Sequence, residues 1–261
     1  QNTLDKYPSD NLILKCTSHD NFDYNNGGED ADGFSAKLTV GHNNIFDSCI
    51  AFANSDDGWD LYSKSSSGNT GVTKIINCIA FRNGFLSDIG DENNTSSYNN
   101  GRTRDGDGNG FKLGGEVMYT NAYLENCISF ENGAHGYTDN SNPGILNLKN
   151  CTAYNNGLFE AGRYQNFNLA RTADSLNVYD GLLSIATSNY SQSCADEFRG
   201  PISNSLVLHT ADQKLQYYAI LDVINGNSRI EELSGTPVTV NAADVFEKTD
   251  VRAFYVQTVA S

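Results

Sequence analysis

The carboxylates of this chain gather in tight groups, as in Asp56-Asp57 and Asp105-Gly106-Asp107. Neighbouring carboxylates cannot all ionise without a compensating cation. An all-oxygen donor set suits a hard ion and favours Ca²⁺ over a soft metal. Four aspartates stand out. Asp32 precedes the pair Gly33-Phe34, Asp56 and Asp57 precede Gly58-Trp59, and Asp60 follows it. Lys112 follows Gly110-Phe111 in the place that Asp60 takes after Gly58-Trp59. A lysine beside a bound dication has its ammonium form disfavoured by like charge, and the neutral amine can accept a proton. The plainer alternatives are solvated acids of Asp-Gly turns and, for Lys112, a salt bridge to Asp60.

The elements that must position these groups form a repeat. Five segments run Cys, then Ile or Thr, then Ala or Ser, a ring, any residue, and Asn. They begin at Cys16, Cys49, Cys78, Cys127 and Cys151, and His19 replaces the ring in the first. A second element follows each: Gly33-Phe34, Gly58-Trp59, Gly110-Phe111, Gly136-Tyr137 and the weaker Asn166-Phe167. Spacing between the two elements varies while their internal phase does not, which is the behaviour of a solenoid with insertable turns. The fold class expected is therefore all-β, a parallel β-helix with Cys, Asn and aromatic ladders, like positions stacking about 4.8 Å apart. Gly181 and Ser205 are read as continuing the Cys column. Residues 1–200 are assigned to coils carrying the catalytic cleft. Residues 201–261 are assigned to the last coils and capping segment of the same domain.

Aligning coils on the Gly-aromatic element yields a register. Ser35, Asp60, Lys112, Thr138 and Asn168 share one column, and Asp32, Asp57, Asn109, His135 and Gln165 share another. This predicts Asp32 beside Asp57, with Asp56 and Asp60 close by and Lys112 one step above Asp60. The run Asp105-Gly106-Asp107-Gly108-Asn109-Gly110 with Glu116 satisfies the EF-hand loop pattern. Its context is a strand ladder rather than two helices, so an EF-hand is excluded, and a second structural Ca²⁺ in that turn stays an open alternative. Arg102, Arg104, Arg163 and Arg171 are candidate clamps for substrate carboxylates.

With 261 residues the chain can bury a substantial core, and its 24 Gly against four Pro suit short strands joined by turns. The formal charge of −15 argues against a nucleic-acid partner. No apolar run is long enough to span a membrane. Five cysteines in one column read as free buried thiols rather than disulfides, with Cys194 outside the ladder. The chain starts at Gln1 without a native initiator or signal sequence, and the first coil begins almost at once. It is read as a processed or excised piece lacking N-terminal coils and cap.

Three blocks closely resemble polysaccharide lyase family nine: Glu29 to Leu38, Asn54 to Tyr62, and Asp105 to Gly115. Asp139-Asn140-Ser141-Asn142-Pro143 resembles a further block of that family, so that the likeness covers roughly residues 12–170. The resemblance implies a pectate lyase-type enzyme on a right-handed parallel β-helix. It places the calcium aspartates on Asp32, Asp56, Asp57 and Asp60 and the catalytic lysine on Lys112. The partner would be an acidic plant cell-wall polysaccharide, polygalacturonate or rhamnogalacturonan, cleaved by a secreted, extracellular (or periplasmic or cell-surface) monomer. The rivals are a rhamnogalacturonan lyase on the same scaffold, a hydrolase using Asp56-Asp57, and a non-catalytic β-solenoid adhesin or carbohydrate-binding module. The Gly-His-Gly and Arg-Ile-Lys blocks of pectin hydrolases are absent.

Overall fold

The structure, a computed structural model, describes residues 3–86, 106–160, 162–169, 177–186, 196–198 and 202–209. Apart from one 3₁₀ turn at Thr3–Lys6, the elements in them are short strands in three parallel sheets. The first sheet stacks Leu12–Leu14, Asn44–Asp47, Thr73–Ile76, Ala122–Glu125, Leu146–Lys149, Val178–Asp180 and Ile202–Ser203. The second stacks Thr17–His19, Ile50–Phe52, Ile79–Phe81, Ile128–Phe130, Thr152–Tyr154, Leu183–Ala186 and Leu206–His209. The third stacks Phe34–Ser35, Trp59–Asp60, Phe111–Lys112, Tyr137–Thr138, Phe167–Leu169 and Glu197–Phe198. One strand from each sheet makes a coil, and the fold is the expected parallel β-helix.

Both expected strand types are present, and the first sheet is an addition. Its strands precede each Cys with an alternating pattern, Thr73 and Ile75 buried against half-exposed Lys74 and Ile76. Most of the expected 201–261 segment lies outside the described residues, which end at His209. Cys194 lies outside them too.

Two corners per coil explain the abundance of Asn. Before the Cys column, Lys15, Ser48, Asn77, Asn126, Asn150, Gly181 and Asn204 all take left-handed backbone, with φ from 46° to 65°. After the aromatic column, Asp20, Ala53, Arg82, Glu131 and Asn155 do the same. A single left-handed residue turns the chain sharply, and Gly and Asn adopt that conformation at least cost. From Lys15 to Gly181 the corner N–H of the first set is satisfied by the adjacent coil, as Asn77 N by Glu125 O at 2.9 Å.

This corner corrects the expected place of Gly181. Thr152 pairs with Leu183, so Leu182 occupies the Cys column and Gly181 lies in the corner above Asn150. Ser205 does continue the column. Cys49, Cys78, Cys127 and Cys151 are buried and, with exposed Cys16, are free thiols.

Inside the coils two ladders run along the axis. Asn21, Asn54, Asn83, Asn132 and Asn156 each donate Nδ2 to the side-chain oxygen of the next, Asn166 completing the run, at 2.7–2.9 Å. Phe34, Trp59, Phe111, Tyr137 and Phe167 stack at 4.8–4.9 Å between centroids. The glycine of each Gly-aromatic element is required by close approach. A Cβ on Gly58 would lie 2.6 Å from Gly110 O and 2.8 Å from Asn83 Nδ2. His19, the odd ring of the outer column, stacks on Phe52 at 4.7 Å and keeps that ladder intact.

Asn83 is buried and bonded to Asn54, Asn132 and Ala51 O. Asn83→Ala leaves several of these groups unsatisfied at once, and we expect a loss of about 3 kcal/mol, read as a lower urea midpoint.

Candidate metal centre and its lysine

The predicted register is present. Ser35 pairs with Asp60, Asp60 with Lys112, Lys112 with Thr138, and Thr138 with Asn168. The second column is tied by its own side chains. Asp32 Oδ1 accepts the N–H of Asp57 at 3.3 Å, and Asp57 Oδ1 accepts that of Asn109 at 2.7 Å. Asn109 Oδ1 accepts the N–H of His135 at 3.1 Å, and His135 Nδ1 that of Gln165 at 3.0 Å. One carboxylate oxygen of Asp32 and of Asp57 is thus committed to the scaffold; the other oxygen of Asp32 accepts hydrogen bonds from Ser35 Oγ at 2.6 Å and Lys37 Nζ at 2.9 Å.

Asp32, Asp56 and Asp57 bring carboxylate oxygens within 4.8 Å of one another, with all three residues buried. Asp56 is oriented by the N–H groups of Asp30 at 3.0 Å and Asp107 at 2.6 Å. Asp60 stands beside this trio rather than in it. Its Oδ1 accepts the N–H of Tyr62 at 2.7 Å and its Oδ2 lies 3.1 Å from Lys37 Nζ. Lys37, which the sequence reading missed, also reaches Asp32 at 2.9 Å and Asp30 at 3.3 Å. It lies two residues beyond Ser35 on the same strand face, and that period-two spacing from the column was the available signal.

Lys112 Nζ stands 3.1 Å from Asp57 Oδ2, 2.9 Å from Asp107 Oδ2 and 3.9 Å from Asp60 Oδ2. Asp107 is therefore engaged with the lysine, while Glu116 accepts hydrogen bonds from Tyr62 OH and Ser65 N. These two acids of the EF-hand-like run point at different partners, and Asp105 lies outside the described residues. Arg163 pairs with Glu160 at the surface, whereas Arg102, Arg104 and Arg171 lie outside the described residues.

Electrostatics follow from burial. Desolvation, reinforced by the Asp32 charge, pushes Asp56 up to about 7 against the pull of Lys112. Asp57, fully buried, is held well above the carboxylate range by desolvation. Asp60 is pushed up to about 6 by burial, opposed chiefly by Lys112. Burial disfavours the ammonium of Lys112, yet Asp57, Asp60 and Asp107 outweigh it and hold its pKa above the ordinary lysine range. Lys37 is raised likewise, its burial outweighed by Asp60 and Asp32.

Asp57 Oδ2 is buried and has no hydrogen-bond donor, because Lys112 contacts it outside hydrogen-bonding geometry. Three buried carboxylates and an orphaned oxygen fit a hard divalent cation.

A parallel β-helix with an acidic, lysine-edged cluster on one outer sheet is thus the class that fold and site define. Residues 1–177 match the family described as Pel9A-like, right handed beta helix region, and the chain belongs to that family, the polysaccharide lyase family nine type. It is 40% identical to "Pectate lyase L" of Paenibacillus polymyxa (strain SC2) over 248 residues, which is 89% of this chain and 52% of that protein. The chain thus spans about half the length of that relative. Among solved structures it is similar to pectate lyase Pel9A, at TM-score 0.58 and 24% identity over 89% of this chain and 52% of the other. A rhamnogalacturonan lyase matches at TM-score 0.59 and 22% identity, over 91% of this chain and 59% of the other. Both structural matches support the fold. Among the described residues no helix is long and apolar enough to cross a membrane.

Two outcomes are expected of the cation-free protein. A carboxyl whose pKa is higher folded than unfolded binds more protons in the native state, so stability falls as pH rises from 3.8 to about 7. Melting in chelator should therefore drop between about pH 4 and about pH 7, and saturating Ca²⁺ should remove the drop. Lys37→Met leaves Asp32 without its lysine and Asp60 with Lys112 alone, at 3.9 Å. Calorimetry should show a loss of about 3 kcal/mol in chelator, and a smaller loss with Ca²⁺.

Proposed function

We propose that this chain carries the catalytic part of a Ca²⁺-dependent pectate lyase, which cleaves polygalacturonate by β-elimination. The observation that carries the reading is Lys112 Nζ held 3.1 Å from Asp57 at the edge of a buried carboxylate trio. The pectate lyase names of its relatives agree with it. Asp32, Asp56 and Asp57, with Asp60 beside them, would hold the cation. When bound, Ca²⁺ supplies positive charge that offsets these carboxylates and the uronate carboxylate, on which negative charge grows as the C5 proton leaves.

The chain's own residues do the rest. Asp57 and Asp107 hold the lysine at the cluster's edge; once a cation offsets the carboxylates that keep it protonated in the ion-free protein, its amine would be neutral and would take the proton from C5. The C5–H electron pair becomes the C4=C5 double bond, the C4–O bond breaks, and the departing oxygen takes a proton from water. The products are a shortened chain and one with an unsaturated sugar end. Asn109 donates its backbone N–H and its Nδ2 to Asp57 Oδ1 at 2.7 and 2.9 Å, which fixes the carboxylate that Lys112 faces. An acidic protein acting on a polyanion needs such a bridging cation, since its own charge of −15 repels the polymer. The substrate lies in plant cell walls, and we accordingly propose a secreted or surface-exposed protein acting as a monomer.

Lys112→Ala should lower turnover about a thousandfold while calorimetric Ca²⁺ binding stays intact. Excess chelator should abolish formation of the ultraviolet-absorbing product on polygalacturonate. Undiminished activity in chelator would overturn the reading, and absorbance arising only on rhamnogalacturonan would change the substrate.

A further inference from the structure

Next to Lys112 the third sheet carries a feature that the elimination step does not use. Tyr62 lies two residues beyond Asp60 on the same outward face, about 7 Å along the extended chain that continues the strand. The bonds Leu38 N to Tyr62 O and Leu61 N to Lys112 O carry the coil register onward, so Lys37, Tyr62 and Gly114 form the next row. The Tyr62 side chain is half-exposed, and its ring centroid lies 5.7 Å from Lys112 Nζ.

The ring is fixed although it fills no core. Trp59 and Leu61 on the inward face do that work. Tyr62 OH donates to Glu116 Oε1 at 2.7 Å, and Glu116 Oε2 accepts Ser65 N at 3.1 Å. The turn presenting Glu116 contains two successive non-glycine residues in left-handed backbone, Glu116 at φ 43° and Val117 at φ 60°. It is closed by Met118 N to Gly115 O at 3.1 Å, and Val117 is 60% exposed. Side chains rarely take this conformation, and a strained exposed turn calls for a reason outside packing. Gly115 supplies a further constraint: a Cβ there would run into Cδ2 and Cε2 of the ring. Gly114 and Gly115 thus let Asn142 and the Tyr62 ring pack directly against bare backbone, which locks the tyrosine in one orientation within reach of the base.

We propose that Tyr62 is a sugar-binding platform, stacking on the uronate residue adjacent to the one that loses its proton. Glu116 is its positioning residue. The inference rests on the polyuronate reading above. One face of a pyranose presents C–H groups, which pack on the electron-rich face of an aromatic ring through buried apolar area and weak C–H to π attraction. Carboxylates project from the sugar's edge and do not obstruct that contact. Stacking holds the polymer equally before and during proton removal, so it acts on KM rather than kcat.

The experiment compares unmodified protein, Tyr62→Ala, Tyr62→Trp and Glu116→Gln on polygalacturonate with saturating Ca²⁺, with calorimetric Ca²⁺ affinity and melting temperature measured for each. Tyr62→Ala should raise KM about tenfold with kcat within about twofold and Ca²⁺ affinity unchanged. Tyr62→Trp should keep KM near that of the unmodified protein. Glu116→Gln, which keeps the ring but weakens its anchor, should give an intermediate KM. An unchanged KM in Tyr62→Ala, or a loss confined to kcat, overturns the platform while leaving the lyase reading intact. If the unmodified protein cleaves neither polygalacturonate nor rhamnogalacturonan, the lyase reading falls and the platform with it.

Discussion

Registration of coil on coil is the constraint from which everything else in this protein follows. Each residue has its counterpart one turn away as its nearest neighbour, so a slip of one position would put inward rings outside and corner residues inside strands. Three devices resist that slip. The Asn ladder accepts and donates only between matching positions. Left-handed corners recur at the same place in successive coils and break a strand that slides through them. Stacked rings at 4.8–4.9 Å match the strand spacing, which leaves no room for partial offsets.

The site uses that rigidity. Asp32, Asp56 and Asp57 would repel one another in a yielding structure, and burial raises the cost of each charge. Backbone N–H groups just ahead of the strands hold one oxygen of Asp32 and of Asp57, and both oxygens of Asp56 accept backbone N–H groups, which resists their moving apart. Without a divalent ion the two lysines supply the compensation, and Asp56, Asp57 and Asp60 bind protons more readily than ordinary carboxylates. The cluster is therefore a stored electrostatic conflict that a cation relieves.

Fold class and register were legible in the sequence because a solenoid writes its tertiary contacts as a repeat. Aligning Gly33-Phe34, Gly58-Trp59 and Gly110-Phe111 was enough to place Asp60 beside Lys112. The sheet preceding the Cys column went unread because its strands share only alternation, with no signature residue. Gly181 was misplaced by one position for a related reason. Its lack of a side chain suited both the small-residue column and the corner, and only pairing with the neighbouring coil separates them.

The sequence alone determined which strands stack and which carboxylates share a coil face, since both depend on phase along the chain. Tertiary structure decided which groups are in contact. Lys37 reaches across to Asp32 and Asp60, Asp107 turns to Lys112, and Asp60 is drawn beside the trio instead of into it. Those outcomes depend on long flexible side chains and on a turn following a variable insertion. The repeat specifies a column for each residue, but the direction of a lysine's four-carbon stem is settled by the charges it meets in the folded protein.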